Sequence, residues 1–208
     1  MMFQLKGHSI CLRQTTPEDA PVLFRAYRDK AFLRLLAAHR QVPTDEAQLR
    51  RSLQKRSQVA PATLRYIEWL IWHQRHGAIG MADFNDYSEK PGRAEYMIGL
   101  FDNKHCHRGY GIEATLLALD LAFNQLNFNN IYSFVYDYNP IARQILLKGD
   151  FKSEGIHLDS EKRAVSLYRF GLSVDYHVLL TGGLNINTFL GLFFTRFLFP
   201  EGWWANGR

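Results

Sequence analysis

The chain is poor in cysteine, with two among its 208 residues. Cys11 and Cys106 lack the spacing of a metal site or of a disulfide framework. The first residues also lack the charged and apolar regions of a secretory signal. Because disulfides persist mainly in oxidising surroundings, we expect two free thiols in a reducing compartment, the cytoplasm.

The sequence also lacks dense charge of one sign, internal repeats and a long apolar run. Its net charge is +5, but the basic residues are scattered, which suits a polyanionic ligand and does not predict a nucleic-acid partner. Residues 189–199 are strongly apolar, yet they contain Arg196 and are shorter than the roughly 20 residues of a membrane-spanning helix. No transmembrane segment is expected, and the 47% of hydrophobic residues suits one globular domain.

The most informative stretch joins a strand, a turn and a helix. Residues 94–101 are apolar enough for a buried strand, and residues 102–104 break it. Residues 108–111 then open a helix that we expect to reach about Leu126. Its apolar residues fall at helical spacings and predict one buried stripe. The stripe consists of Ile112, Leu116, Leu119, Phe123 and Leu126.

Two glycines in this turn, Gly109 and Gly111, favour an anion site. Glycine lets the backbone approach a phosphate closely, and the N–H groups at a helix start attract negative charge. His107 and Arg108 add positive charge. The alternative is a glycine turn that binds nothing. The pattern is neither the dinucleotide fingerprint, which needs a third glycine, nor a Walker loop, which continues with Gly-Lys-Ser/Thr.

The neighbouring residues resemble a known family. The run Arg-Gly-Tyr-Gly-Ile-Glu-Ala from Arg108 to Ala114 resembles motif A of the GNAT superfamily of acetyl-coenzyme A-dependent N-acetyltransferases. It looks most like the branch of the ribosomal-protein alanine acetyltransferases, whose loop reads Gly-Lys-Gly-Tyr-(Ala/Gly)-x-Glu-Ala. Cys106 and His107 depart from the residues that the family usually has at the entrance of this loop.

A second motif follows in the family's order and at its separation. It is similar to motif B, an Asn-x-x-Ser/Ala pattern followed by a Glu-Lys-x-Gly-Phe-x-x-Glu-Gly tail. The matching residues are Asn139, Ala142, Lys148, Phe151, Glu154 and Gly155. Asp150 replaces the usual glycine. The resemblance covers about residues 8–172.

The resemblance implies an α/β (α+β) fold of the GNAT type. We expect a central, mixed and mostly antiparallel sheet of about seven strands, splayed between strands 4 and 5 and flanked by helices. Strands are predicted at residues 10–13, 66–73, 78–87, 94–101, 131–136, 151–157 and 164–170. Residues 1–172 would form the acetyltransferase domain. Residues 173–208 would be an apolar extension that packs on the domain or joins two subunits as a homodimer.

The same resemblance implies acetyl-CoA as the co-substrate and no metal, because a thioester is already activated. Main-chain groups of the strand at 98–101 would hold the pantetheine arm like an added strand, and loop amides would hold the pyrophosphate. The expected cofactor-binding residues are Ile98, Leu100, Phe101, Cys106, His107, Arg108, Gly109, Tyr110, Gly111, Asn139 and Arg143. Asn139 is alternatively a plain N-cap.

The expected chemistry is direct attack of an amine on the acetyl carbon. Because a primary amine is mostly protonated at neutral pH, a base or a water chain has to take its proton. Glu95 is our first candidate for this base and Asp83 the second, and each is alternatively a solvated surface carboxylate. The helix tyrosine with which many family members protonate the leaving thiolate would fall at Leu146, so that role is absent here or performed elsewhere.

These expectations lead to an N-acetyltransferase whose acceptor is a protein N-terminus, a polyamine, an amino sugar or an antibiotic. The alternative is a non-catalytic module that binds acyl-CoA as a sensor or structural part. His73 and His76 flank a turn without a third ligand, so a metal site is not predicted. His105 and His107 straddle the phosphate loop and are candidates for electrostatic help.

Overall fold

The computed structural model describes residues 4–35, 42–59, 66–88, 92–158 and 166–173. Within these ranges the chain forms one sheet with helices on both faces, as expected. The apolar extension from residue 174 onwards lies outside the described residues. Its predicted packing, or its contact with a second subunit, therefore stays a prediction.

The sheet has eight strands. They are β1 (Gln4–Lys6), β2 (Ile10–Gln14), β3 (Ile67–His73), β4 (Gly77–Ser88), β5 (Arg93–Leu100), β6 (Asn130–Tyr136), β7 (Lys152–Leu158) and β8 (Ser166–Ser173). Their order is β1-β2-β3-β4-β5-β6-β8-β7, and only β5 and β6 are parallel neighbours. The prediction of about seven strands agrees with the sheet of the described residues, to which the structure adds one short strand. The additional strand β1 has three residues, too few to show strand periodicity in the sequence.

Helices cover both faces of the sheet. Those in the described ranges are α1 (Ala20–Ala26), α2 (Lys30–Leu35), α3 (Glu46–Ser57), α4 (Tyr110–Asp120) and α5 (Pro140–Lys148). Helices α1 to α3 pack on a cluster that contains Leu70 and Met81. Helices α4 and α5 pack on the cluster of Ile71 and Ala82. Because successive strand residues point to opposite faces, the two helix layers lie on opposite sides of the sheet.

Helix α4 is buried on every side, although the sequence predicted a single apolar stripe. Residues 111–119 are all buried. One cause is the β1–β2 turn, where the Ser9 N–H donates to the Glu113 carboxylate at 2.8 Å. The α-helix ends at Asp120 and continues as a π-helical turn, Leu121–Gln125. The observed α-helix is therefore shorter than the predicted one, which reached about Leu126.

Aromatic side chains hold the middle of the sheet together. Phe84 on β4 is fully buried, with its ring centroid 5.4 Å from that of Trp69 on β3. The rings of Tyr96 on β5 and Phe128 each lie 5.7 Å from it. Such edge-on and tilted pairs add to the stabilisation from burial. They fix β5, the strand on which the candidate site is built.

The predicted splay of the sheet is confirmed between β5 and β6. The register of these two strands ends at the pair Glu95–Tyr132, whereas β5 continues to Leu100. The Phe101 N–H donates to the Ile79 carbonyl at 2.9 Å. Because antiparallel ladders alternate, the main-chain groups of Ile98 and Leu100 point away from β4, into the gap. The gap thus presents an open strand edge.

Candidate active site

The loop after β5 ends at a helix start that is built to receive an anion. His107 and Gly109 have φ values of +58° and +82°, and Gly109 is the N-cap of α4. The first N–H groups of any α-helix lack partners within the helix, and glycine has no side chain to cap them. With the helix dipole, the start of this 11-residue helix favours negative charge.

A groove with a cavity of about 160 Å³ lies between this loop, the start of α4 and helix α5. Its lining includes Leu100, Cys106, Gly109, Ile145 and Lys148. A Cβ atom at Gly111 would stand 2.8 Å from Ile145 Cδ1, so the end of the Ile145 side chain packs directly against the backbone of α4 at this glycine. The groove joins an open strand edge to an anion-binding helix start. These features fit a pantetheine arm that ends in a pyrophosphate.

A second cavity, of about 520 Å³, lies on the opposite side of the gap. Helix α2 forms one wall, where the ring of Phe32 meets that of Phe101 edge-on at 5.4 Å. Tyr138 forms the other wall, and its hydroxyl donates to the Arg34 carbonyl at 2.7 Å. Leu100 lines both cavities. Two molecules that enter from opposite faces of the sheet can therefore meet beside β5.

Both predicted carboxylates are buried, which excludes their alternative as solvated surface acids. The exposed fractions are 4% for Glu95 and 0% for Asp83. Asp83 lies opposite Met97, a member of the cluster beneath α1 to α3. Glu95 is two residues from Met97 on the same strand, so its side chain points to the same face of the sheet. Both carboxylates therefore face the side of the second cavity. Glu95 belongs to the last pair before β5 and β6 part, and Asp83 lies one strand further away.

A third buried carboxylate, Glu68 on β3, was missed in the sequence. It lies directly opposite Asp83 and is 3% exposed. The hydroxyls of Tyr66 and Tyr27 donate to it at 2.5 and 3.4 Å, and an Arg56 nitrogen lies 3.6 Å away. A glutamate at the second position of an otherwise apolar strand was the available signal. Its relation to Asp83 depends on the register between β3 and β4.

Among the other predicted cofactor residues, Cys106 lines the groove, whereas Arg108 and Arg143 are not part of its lining. The Arg108 Nε donates to the Lys104 carbonyl at 2.9 Å. Cys106 lines the groove, and burial, with the nearby Asp102 charge, raises the pKa of its thiol. The guanidinium of Arg143 lies 5.3 Å from the ring centroid of Tyr168, a cation–π contact.

Leu146 is 1% exposed, within the core. Many family members have a tyrosine at the position that corresponds to Leu146, but this chain has a core side chain without a hydroxyl there. Tyr138, by contrast, lines the second cavity, and its ring stacks on that of Tyr136 with 5.0 Å between centroids. Tyr138 therefore places a hydroxyl beside the second cavity.

Asn139 is the N-cap of α5, because its Oδ1 accepts from the Ala142 N–H at 3.2 Å. We expect Asn139→Ala to lower the free energy of unfolding by about 1 kcal/mol, the usual cost of losing a cap. Asn139→Asp keeps an accepting oxygen and is the matched control. Urea unfolding measures the stabilities. If the alanine variant keeps full stability but its KM for acetyl-CoA rises, Asn139 acts on the cofactor and not as a cap.

A sheet splayed beside an anion-binding helix start defines the class of acyl-CoA-dependent N-acyltransferases. The sequence model described as "Acetyltransferase (GNAT) domain" matches residues 9–152, so the chain belongs to this family. No curated protein sequence matches the chain. As a member of the family, the protein is an enzyme that transfers an acetyl group from acetyl-CoA to an amine.

Solved structures with the same fold include spermidine N-acetyltransferases from Vibrio cholerae. One, in complex with CoA and spermine, has 17% sequence identity and a TM-score of 0.71, over 82% of this chain and 98% of that one. Another, a dodecamer in an intermediate state, has 17% identity and a TM-score of 0.69, over 85% and 99% of the two chains. At such identities the likeness establishes the fold.

The described residues contain no helix that is both long and apolar enough to cross a membrane. The same residues contain no group of three or more His, Cys, Asp or Glu side chains placed to hold a metal ion.

Proposed function

We propose that this enzyme acetylates a primary amine of a small polycationic acceptor, with polyamines as the first candidates. The observation that carries the proposal is the pair of cavities that meet at Leu100 from opposite faces of the sheet. The acceptor-side cavity is lined by two carboxylates, Asp29 and Asp102, and one cation, Arg34. The Asp102 carboxylate is also paired with the Lys104 ammonium at 2.8 Å, so Asp29 is the carboxylate that favours an ammonium group there. The spermidine N-acetyltransferases of the same fold support the same class of acceptor.

The N-terminus of a ribosomal protein is the second candidate acceptor. The run from Arg108 to Ala114 favours it, because this run resembles the ribosomal-protein alanine branch of the family. A polypeptide N-terminus is also a primary amine, but it brings one positive charge where a polyamine brings several. The number of charges on the preferred acceptor therefore distinguishes the two candidates.

On this proposal the groove holds acetyl-CoA, whose thioester supplies an activated acetyl group. Main-chain groups of Ile98 and Leu100 hold the pantetheine arm at the open strand edge. The amides of residues 108–111 hold the pyrophosphate at the start of α4. Lys148, at the C-terminal end of α5, adds a cation to the same groove. His107 and Cys106 line its entrance.

Glu95 is the proposed general base, directly or through a water molecule. Two features support this role. Glu95 lies in the last β5–β6 pair before the gap, and its side chain points to the face of the sheet on which the acceptor-side cavity lies. Asp83 is the second candidate, one strand further from the gap. The base has to be reached from the acceptor side, because the acceptor's ammonium group loses its proton there.

The test of the proposed function is release of free thiol from acetyl-CoA with a panel of amines. We expect turnover with spermidine and spermine, and less or none with a peptide that begins with alanine. An amino sugar and an aminoglycoside complete the panel. Faster turnover with the peptide would move the enzyme to the ribosomal-protein branch. Absence of turnover with every amine, together with tight CoA binding, would favour the non-catalytic acyl-CoA module.

We further propose a cytoplasmic homo-oligomer in which residues 173–208 contribute to a subunit contact. The apolar run at 189–199 supports this, because an exposed patch of that kind promotes association. One solved relative in fold is described as a dodecamer. Light scattering of the full chain measures its mass directly. A monomer at micromolar concentration would contradict the proposed assembly.

A further inference from the structure

Three histidines from two separate turns of the chain come together beside the phosphate loop. His73 and His76 flank the β3–β4 turn, with their ring centroids 4.6 Å apart. His105, from the loop after β5, brings its ring to 5.2 Å from that of His76. Tyr110, the first residue of α4, lies 5.1 Å from His73 and 6.4 Å from His105. We call these three imidazoles the histidine stack.

The surroundings of His105 disfavour its charged form. His105 is only 7% exposed. Burial, followed by the charge of Lys104 and the neighbouring His76, lowers the pKa of His105, and Arg108 acts in the same direction. The carboxylate of Asp102 opposes these effects. In the protein without ligand, His105 is therefore neutral at pH 7.

His73 lies at the other end of the histidine stack, and its pKa is also lowered. Burial first, and then His76 and Arg75, lower its pKa, while Glu113 at the start of α4 opposes them. His105 differs from His73 in one respect, because His105 also lines the groove assigned above to the coenzyme. A negative group in that groove would act on His105 from the side that the stack leaves open.

We propose that His105 is a phosphate-binding residue that takes up a proton when the pyrophosphate of the coenzyme enters the groove. The inference rests on the proposed function, in that it places the pyrophosphate at the loop of residues 105–111. Burial, Lys104 and then His76 disfavour the protonated form of His105 in the free protein, and an anion in the groove would compensate these effects. Binding of the coenzyme and proton uptake are then coupled.

The direction of the pH dependence follows from this coupling. A bound anion within a few ångströms raises the pKa of His105, so between the free and the bound pKa the complex holds one more proton than the free protein. Affinity therefore rises as the pH falls through the bound-state pKa, and it levels off below the free-state pKa. A rise of one pKa unit corresponds to about tenfold tighter binding at the acid end.

The experiment uses 3′-dephospho-coenzyme A, because its pyrophosphate keeps a constant charge between pH 5.5 and 8. Calorimetric titrations in two buffers of different ionisation enthalpy count the protons taken up. For the full chain we expect uptake of a substantial fraction of one proton near pH 6.5, and about tenfold tighter binding at pH 5.5 than at pH 8. His105→Gln should abolish both effects. His8→Gln, at an exposed histidine of the β1–β2 turn, should keep both.

A second variant keeps the test decisive if His105→Gln fails to fold. His76 is exposed, and His76→Asn removes the imidazole next to His105. The pKa of His105 should then rise in the free protein, so fewer protons are taken up at pH 6.5. Binding of the full chain without proton uptake would overturn the inference and leave the groove assignment intact. Absence of binding at every pH would overturn both.

Discussion

Replacing Gly109 by valine should weaken coenzyme A binding by at least about a hundredfold. Gly109 has a φ of +82°, a conformation that a β-branched residue avoids at a cost of about 1–3 kcal/mol. The valine side chain would also stand where the main chain has to approach the pyrophosphate, so charge-assisted hydrogen bonds worth about 1.5–3 kcal/mol each would be lost. The strain lowers stability, whereas the lost hydrogen bonds lower affinity; since about 1.4 kcal/mol is a factor of ten in affinity, the loss of two such bonds exceeds a hundredfold.

The matched control for this substitution is Gly92→Val. Gly92 also has a positive φ, +69°, but it lies in the turn before β5, at the opposite end of the strand from the groove. We expect both variants to lose stability, and Gly109→Val alone to lose CoA affinity in calorimetric titration. Gly109→Asn should be intermediate, because asparagine tolerates the left-handed region. Parental affinity in Gly109→Val would exclude this loop as the phosphate site.

Glu95→Gln should lower the rate constant of acetyl transfer by about 10²–10⁴-fold while CoA affinity stays unchanged. Loss of a general base has this usual magnitude. Glutamine has nearly the same shape as glutamate, so the buried position next to the gap is retained while proton acceptance is lost. Single-turnover kinetics across the pH range, with CoA affinity measured in parallel, separates the chemical step from binding.

Asp83→Asn and Glu68→Gln are the matched controls for Glu95→Gln. The three carboxylates lie on the same face of neighbouring strands, so all three variants remove one buried charge from the same region. If Glu95 is the base, its variant should lose far more activity than the other two. An unchanged rate in Glu95→Gln across the pH profile would move the role to Asp83 or to an ordered water molecule.

The sequence by itself determined the features that depend on local backbone chemistry. The two glycines and the apolar run after them predicted the turn and the start of α4. Asn139 was a candidate N-cap in the sequence, and it caps α5. The resemblance to the family predicted the gap between β5 and β6. These signals are readable because the residues that interact are close in the chain.

Only the tertiary structure decided what meets across the sheet. The burial of Glu95 and Asp83, and the position of Glu68 opposite Asp83, depend on strand register and on the helices that cover that face. His105 joins His76 from a different loop. Two cavities meet at Leu100 because helices on opposite faces leave the same gap uncovered. Burial and pKa are set by neighbours in space, and the sequence pattern gives no distances between residues that are far apart in the chain.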